Sequence, residues 1–425
     1  MKKLLLVIFL LGIFFALYGG EKRIPAPRGL KEIKQMMRIT WNQHILPQPS
    51  DSVLLEKLLE CGEVILFFDS PKEIPWMSSA GILINAPVEL VWEVVTDSEH
   101  MHKFVPMTER AQAKKLFDGL YQVNLTVYIK MSFLRYRLSY GLYDYRQPPY
   151  RIDWSLCWGE FDKNVGFWEL IPTPDGRRTM AFYSVYSEPR SRFLKAIYSH
   201  EPVLEMMTNL STATMIVRAI KKEAERRFFQ KSAPIASNKK PSQSIDKILN
   251  SAPESLERFL KRGNLLVLED GPTVYVIAGA LVKKDIQTSY NLISDFSRYP
   301  DFVSGVRKVE LVKKNANQAI YRWDFDLNLG FVHYRFQRTW EYKFYPPEKI
   351  IWEIERKQAP KAKAFWKLIP SGKEKTLIFY GSTADLRQLG FIVRYALKVE
   401  PTLEYAILAC QSMATINSVK KELNK

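Results

Sequence analysis

Few residues of this chain have the types and spacing that chemistry requires. His100 and His102 are two of five histidines, but at i, i+2 on a helix they diverge around the axis, so a surface or capping role is expected and no metal site. Arg338 shares a strand face with Tyr334, Phe336 and Trp340. There it could meet a ligand headgroup or polarise a carbonyl, although a stem lying along apolar surface with its head in water is the plainer reading. Arg137 and Arg335 fall on the opposite face and are expected in salt bridges. Glu353 and Glu355 share one strand face and read as the charged outside of a sheet. Cys61, Cys157 and Cys410 are odd in number and lack CxxC spacing, so buried free thiols are expected. No Ser-His-Asp arrangement, metal cluster or phosphate-cradling glycine loop accompanies them. No catalytic residue, metal or cofactor is therefore assigned, and an enzyme is the less favoured reading.

The elements that would position these residues occur twice. "SDFSRYPDFV" at 294–303 echoes "TDSEHMHKFV" at 96–105, an offset of 198. The same offset pairs Ala80-Gly81 with Ala278-Gly279, Tyr136-Arg137 with Tyr334-Arg335, Pro148-Pro149 with Pro346-Pro347 and Trp154 with Trp352. "FWELIP" (167–172) matches "FWKLIP" (365–370), and with a small shift Glu201-Pro202 matches Glu400-Pro401. So many Trp, Pro and Tyr matches in one register mark an internal duplication of domain-sized units. The expected division is 1–20 leader or anchor, 52–230 first domain, 231–252 linker and 253–425 second domain. The Ser-, Pro- and Lys-rich stretch 230–244 supplies the linker signal.

Each copy opens with a helical lead, "LLEKLLECG" or "SLERFLKRG", whose final glycine suits a left-handed C-cap. An opening strand, a short helix and a Pro-containing turn that stops helix formation come next. Then come alternating strands: Val123, Leu125, Val127, Ile129 and Met131 on one face, and Trp323, Phe325, Leu327 and Leu329 in the other copy. Strict alternation means an antiparallel sheet with one wet face. Further strands are expected near 133–145, 150–158, 164–171 and 179–187 and at their counterparts. Each copy closes with a long amphipathic helix, carrying Leu210, Ala213, Val217, Ile220 and Ala224 in the first and Cys410, Met413 and Ile416 in the second.

The chain has 425 residues, 47% hydrophobic, and a formal net charge of +17. That is ample for two cores and argues against disorder. The charge suits anionic membrane surfaces, and no nucleic-acid-binding signature accompanies it, so nucleic acid is not expected as a partner. Lys2 and Lys3 precede an uncharged run, Leu4–Tyr18, which reads as an export signal or retained anchor. The expected location is outside the cytoplasm, periplasmic or anchored to the outer side of the cytoplasmic membrane.

This order of elements resembles the START-like helix-grip superfamily. "SDFSRYPDFV" is especially similar to its coenzyme Q-binding and polyketide-cyclase branch, through Asp295, Tyr299, Pro300 and Phe302. The first copy keeps Asp97 and Phe104 but has Met101 and His102 where Tyr299 and Pro300 stand. The resemblance implies an α+β fold of two tandem helix-grip domains, each a curved antiparallel β-sheet wrapped around a long C-terminal α-helix. It also implies a hydrophobic cavity between sheet and helix. The small residues at the helix centres, among them Ser211 and Cys410, either let the helix approach the sheet or leave room for a guest. Pocket-lining residues expected on this basis are Tyr136, Tyr140, Trp154, Trp168, Tyr183 and Ser211 in the first copy. In the second they are Tyr334, Arg338, Trp340, Trp352, Trp366, Tyr380 and Cys410.

Burying about 300 Å² of ligand contributes on the order of 7 kcal/mol before association costs, which suffices for reversible carriage. The leading expectation is binding, and possible transport, of a lipid, quinone or isoprenoid at a membrane surface. A cyclase- or dehydratase-like enzyme and a ligand-free interaction module are the alternatives.

Overall fold

A computed structural model of the chain describes residues 29–69, 76–131, 134–191, 195, 202–231, 244–269, 275–328, 333–354, 362–386, 394 and 402–425. The leader at 1–20, most of the linker and Glu355 lie outside these residues. In chain order the elements begin with α1 (Leu30–Met36), α2 (Arg38–Trp41), α3 (Ser52–Cys61), β1 (Gly62–Asp69), β2 (Trp76–Ile84), α4 (Val88–Thr96) and α5 (Met101–Phe104). Strands β3 (Thr108–Phe117), β4 (Leu120–Met131), β5 (Leu134–Gln147), β6 (Arg151–Gly159), β7 (Phe161–Pro172) and β8 (Thr179–Pro189) come next, then helix α6 (Pro202–Lys231). The second copy runs α7 (Ile245–Ser251), α8 (Pro253–Leu260), β9 (Gly263–Glu269), β10 (Tyr275–Val282), α9 (Ile286–Ser294) and α10 (Tyr299–Phe302). Strands β11 (Val306–Asn315), β12 (Gln318–Asn328), β13 (His333–Tyr345), β14 (Lys349–Ile354), β15 (Ala362–Pro370) and β16 (Thr376–Ala384) lead to helix α11 (Thr402–Leu423).

These elements gather into two compact units. The first takes the chain up to Ile45, Ser70–Ser199 and Thr212–Ser237; the second takes Leu46–Asp69, His200–Ser211 and Asn238–Lys425. In the first the strands run β2-β8-β7-β6-β5-β4-β3, and in the second β11-β12-β13-β14-β15-β16-β10-β9-β1, with antiparallel registers. Each is an α+β helix-grip unit.

The lead α3–β1 groups with the second unit because β1 pairs along its length with β9, its own counterpart, with Ile65 opposite Leu266 and Leu66 opposite Leu265. All four are buried. The fully buried Asp51 carboxylate accepts from Arg258 Nε at 3.0 and 3.1 Å and locks the same lead to α8. The lead glycines are not left-handed caps. Gly62 has φ 159° and ψ −159° and Gly263 has φ 149°, and each is the first residue of a strand.

The repeated Ala-Gly has a steric reason. A Cβ on Gly81 would lie 2.1 Å from Phe182, and one on Gly279 would lie 2.7 Å from Phe379. Each phenyl ring lies across the glycine opposite it in the ladder. The Pro-containing turn of the second copy is itself helical: Pro300 occupies the first turn of α10, where its missing N–H costs nothing.

The sheet of the first unit does not have one wholly wet face. Ile33 of α1 and Met37 just past it bury Leu120, Tyr143 and Cys157 on the side away from the grip. Below them Arg151 donates to Asp153 (2.8 Å), to the Thr40 and Gln43 carbonyls (2.8 and 3.0 Å) and to Glu169 (3.2 Å). Every partner a buried guanidinium needs is present there. In the second unit Asp246 of α7 takes Lys349 (2.7 Å) and Lys367 (3.2 Å) in the same way.

Candidate functional site

Both units carry one aromatic file on the inner side of the sheet. In the first, Trp168, Tyr183 and Trp154 are in sequence, with ring centres 5.0 and 5.1 Å apart. In the second, Trp366, Tyr380 and Trp352 repeat it at 4.9 and 5.8 Å. Period-2 alternation on three antiparallel strands brings these rings to one face. The files then differ. Trp352 continues to Tyr342 (5.4 Å), and Tyr342 to Phe296 (4.4 Å). Phe296 also meets Tyr321, Tyr299 and Trp323 at 5.2, 5.3 and 5.7 Å. Phe296, Tyr299 and Tyr342 are all at most 3% exposed, and the Tyr299 hydroxyl donates to the Ile293 carbonyl at 2.9 Å. This is a filled interior.

In the first unit the corresponding residues are Ser98 for Phe296, Met101 for Tyr299, Val123 for Tyr321, Leu125 for Trp323 and Asp144 for Tyr342. The file therefore ends on a carboxylate. Asp144 lies on β5 opposite Trp154 of β6 and Tyr121 of β4, on the face it shares with Tyr140 and Arg146. Burial raises its pKa to about 7, against the pull of Arg146, whose Nη2 is 3.8 Å away. Burial also pushes the Tyr140 hydroxyl up to about 12 and Tyr183 above its ordinary range, in both cases with a contribution from Asp144. Yet Asp144 keeps 14% of its side chain accessible, and Tyr140 and Tyr183 are only half-buried. Accessible surface on groups otherwise desolvated is what the wall of a ligand space requires. Thr214 Oγ1 on α6 and Arg146 Nε are buried without a hydrogen-bond partner. Polar atoms left in that state suit a guest or bound water.

The long helices differ in the same sense. In the second unit Ser412 of α11 reaches Ser382 of β16 at 3.1 Å, with Ala409 and Cys410 buried beside it, so small residues there permit close packing. On α6, Ser211 is half-buried, with its hydroxyl oxygen unpartnered. Residues 212–231 of α6 are tied to the sheet side by hydrogen bonds: Lys221 Nζ donates to the Leu83 carbonyl (2.8 Å), the Asn85 backbone N–H and Nδ2 to Glu225 (3.0 and 2.8 Å) and Arg227 to Asp97 (2.6 Å).

Of the remaining expected residues, Tyr140 packs edge-on against Phe161 at 5.1 Å, and Trp340 is half-buried opposite Tyr321. Arg338 lies 5.2 Å from the Phe336 ring and donates to the Gln337 carbonyl at 2.9 Å. The side chains of Tyr136 and Tyr334 lie outside the described residues. Arg137 pairs with Glu109 and Arg335 with Asp326, and His100 Nδ1 sits 2.8 Å from Asp97. Among the described residues no group of metal-ligating side chains occurs. Sequence reading missed Asp144. Its signal was there, a lone acid opposite Tyr342 in the duplication, on an inner face it shares with Leu138, Tyr140, Leu142 and Arg146.

A sequence profile described as polyketide cyclase / dehydrase and lipid transport matches residues 84–199 and 282–410, more than half of the chain and once in each copy. The chain belongs to this family. Membership supports binding of a hydrophobic ligand or cyclase activity. Solved structures similar to it include the di-domain ARO/CYC StfQ from the steffimycin biosynthetic pathway, 14% identical over 81% of this chain and 97% of that one, with a TM-score of 0.28. A STAR-related lipid transfer protein fragment from Xanthomonas axonopodis is 11% identical over 38% and 94%, TM-score 0.31. Human STARD10 is 10% identical over 38% and 69%, TM-score 0.30. No curated protein matches the chain.

A second surface feature lies in the first unit. Leu30, Lys31, Lys34, Gln35, Arg38 and Trp41 line an open groove of about 630 Å³ on α1 and α2. Lys34 Nζ stands 5.0 Å from the Tyr145 ring, and Lys31 and Arg38 are exposed.

Proposed function

We propose that this protein holds a hydrophobic or amphipathic molecule, of the lipid, quinone or isoprenoid class, inside its first unit and carries it at a membrane surface outside the cytoplasm. The observation that carries the reading is the accessible, desolvated surface of Tyr140, Asp144 and Tyr183 beside the Trp154 ring. An aromatic wall with a few convergent polar groups is how small-molecule pockets are lined. Two features support the membrane part. The groove on α1 and α2 offers Lys31, Lys34 and Arg38 to anionic headgroups with Leu30 and Trp41 beside them, and the sequence reads as an export signal or anchor over Leu4–Tyr18. Native mass spectrometry on full-length protein from its own membrane fraction tests the reading. A bound lipid-sized molecule is expected, together with sedimentation on vesicles rich in phosphatidylglycerol. A bare protein that also ignores such vesicles would end the proposal.

Asp144 favours one alternative, acid–base chemistry on an enolisable polyketide or isoprenoid substrate. A carboxyl titrating near neutral pH can both take and return a proton. Deuterium exchange from solvent into a long-chain β-diketone, catalysed by the full chain and lost in Asp144→Asn, would establish it. Exchange at the buffer rate would dismiss it.

A further inference from the structure

We infer that the two copies have divided roles: the first takes the hydroxyl-bearing head of an uncharged amphiphile at Asp144, and the second is closed around Phe296. This rests on the reading that the first unit holds a guest, and adds which copy works and which headgroup it selects.

Trp-Tyr-Trp occupies both interiors, so both copies keep the aromatic wall. The side chains beyond the second tryptophan decide whether space remains. Six rings packed around Phe296, with Tyr342 and Tyr299 sealed from solvent, leave none at that level of the second unit. Ser98, Val123, Leu125 and Asp144 replace four of those aromatic side chains with smaller ones in the first unit. Tyr121 stands where the second unit has Ala319, directly across the ladder from the carboxyl.

Donor and acceptor chemistry selects the headgroup. An ionised carboxylate only accepts, and a protonated one donates as well. A hydroxyl satisfies either form. An ether or ester oxygen pairs only with the protonated form, and an anionic carboxylate head could meet Arg146 but is repelled by the ionised Asp144 beside it. An ammonium head would pair with Asp144 but would meet the Arg146 guanidinium, which lies 3.8 Å from the Asp144 carboxylate. Arg146 and Tyr140 on β5, Tyr121 on β4 and Tyr183 on β8 are the polar groups facing the carboxyl, and burial keeps the Tyr140 and Tyr183 hydroxyls neutral.

Fluorescence titration of the full chain at pH 8 with a pyrene-labelled long-chain alcohol, its methyl ether and the matching fatty acid tests the inference. The alcohol should bind about tenfold more tightly than the ether, the fatty acid most weakly. Asp144→Leu should bring alcohol and ether within about twofold. Asp144→Asn, of the same shape and so the safer variant for folding, should narrow the gap too, because an amide donates to the ether. Phe296→Leu in the second unit should leave the ratio unchanged. Equal binding of alcohol and ether by the wild type, an undiminished ratio in both Asp144 variants, or a ratio lost on Phe296→Leu would each overturn it. Failure of all three probes to bind would remove the carrier reading as well, whereas binding without discrimination would remove this inference alone.

Discussion

Asp144 and Tyr342 stand at the same point of the two copies, each directly across the ladder from its strand tryptophan, Trp154 or Trp352. This exchange, together with Ser98, Met101, Val123 and Leu125 in place of Phe296, Tyr299, Tyr321 and Trp323, changes a sealed aromatic stack into a desolvated carboxyl with accessible surface. The duplication thus preserves the wall and varies its end.

Asp144 makes stability depend on pH. Burial raises its pKa from 3.8 to about 7 despite Arg146, so the folded state holds the proton more tightly than the unfolded chain. Its favourable contribution is complete below about pH 4 and is lost as pH rises to 7. Asp144→Asn should therefore be more stable than wild type at pH 8, by on the order of 2–4 kcal/mol, with little difference at pH 4. Denaturant unfolding at the two pH values checks this, and an equal offset at both would contradict it.

Gly81→Ala and Gly279→Ala should each destabilise by about 1–3 kcal/mol, the first more, since its Cβ would meet the Phe182 ring at 2.1 Å against 2.7 Å for Phe379. Pairing Gly81→Ala with Phe182→Leu should recover part of the loss. A double-mutant cycle with no coupling would show that the ring is not the cause.

Arg151→Met should cost about 3–5 kcal/mol, because it strands the fully buried Asp153 carboxylate and frees the Thr40 and Gln43 carbonyls. Arg151→Lys should restore little, since one ammonium cannot reproduce the fork of bonds. Thermal unfolding of both variants measures the difference, and near-equal melting of Arg151→Lys and wild type would refute it.

The cysteines should be silent in the native protein. All three are buried thiols, and burial pushes Cys61 up to about 11, Cys410 up to about 12 and Cys157 upward as well. A thiol reagent at pH 8 should label none of them until denaturant is added, after which all three react. Stoichiometric labelling without denaturant would show a thiol open to solvent.

Much of this was legible in the chain, because it is written in local pattern. The offset of 198 exposed the duplication, and the alternation in β4 and β12 placed residues on faces. The stripe ending at Ala224 showed which side of the closing helix turns inward, and the repeated Trp, Tyr and Pro residues marked the shared wall. Periodicity determines which side of an element is apolar, and so the fold class. It does not choose the neighbour. That β1 pairs with β9, that Phe296 gathers six rings, and that α1 covers Tyr143 each depend on segments far apart in sequence meeting in one register. For the same reason Asp144 became visible as a site only in the tertiary structure. A single acid on a strand is ordinary, and it acquires its chemistry only when packing removes the water around it.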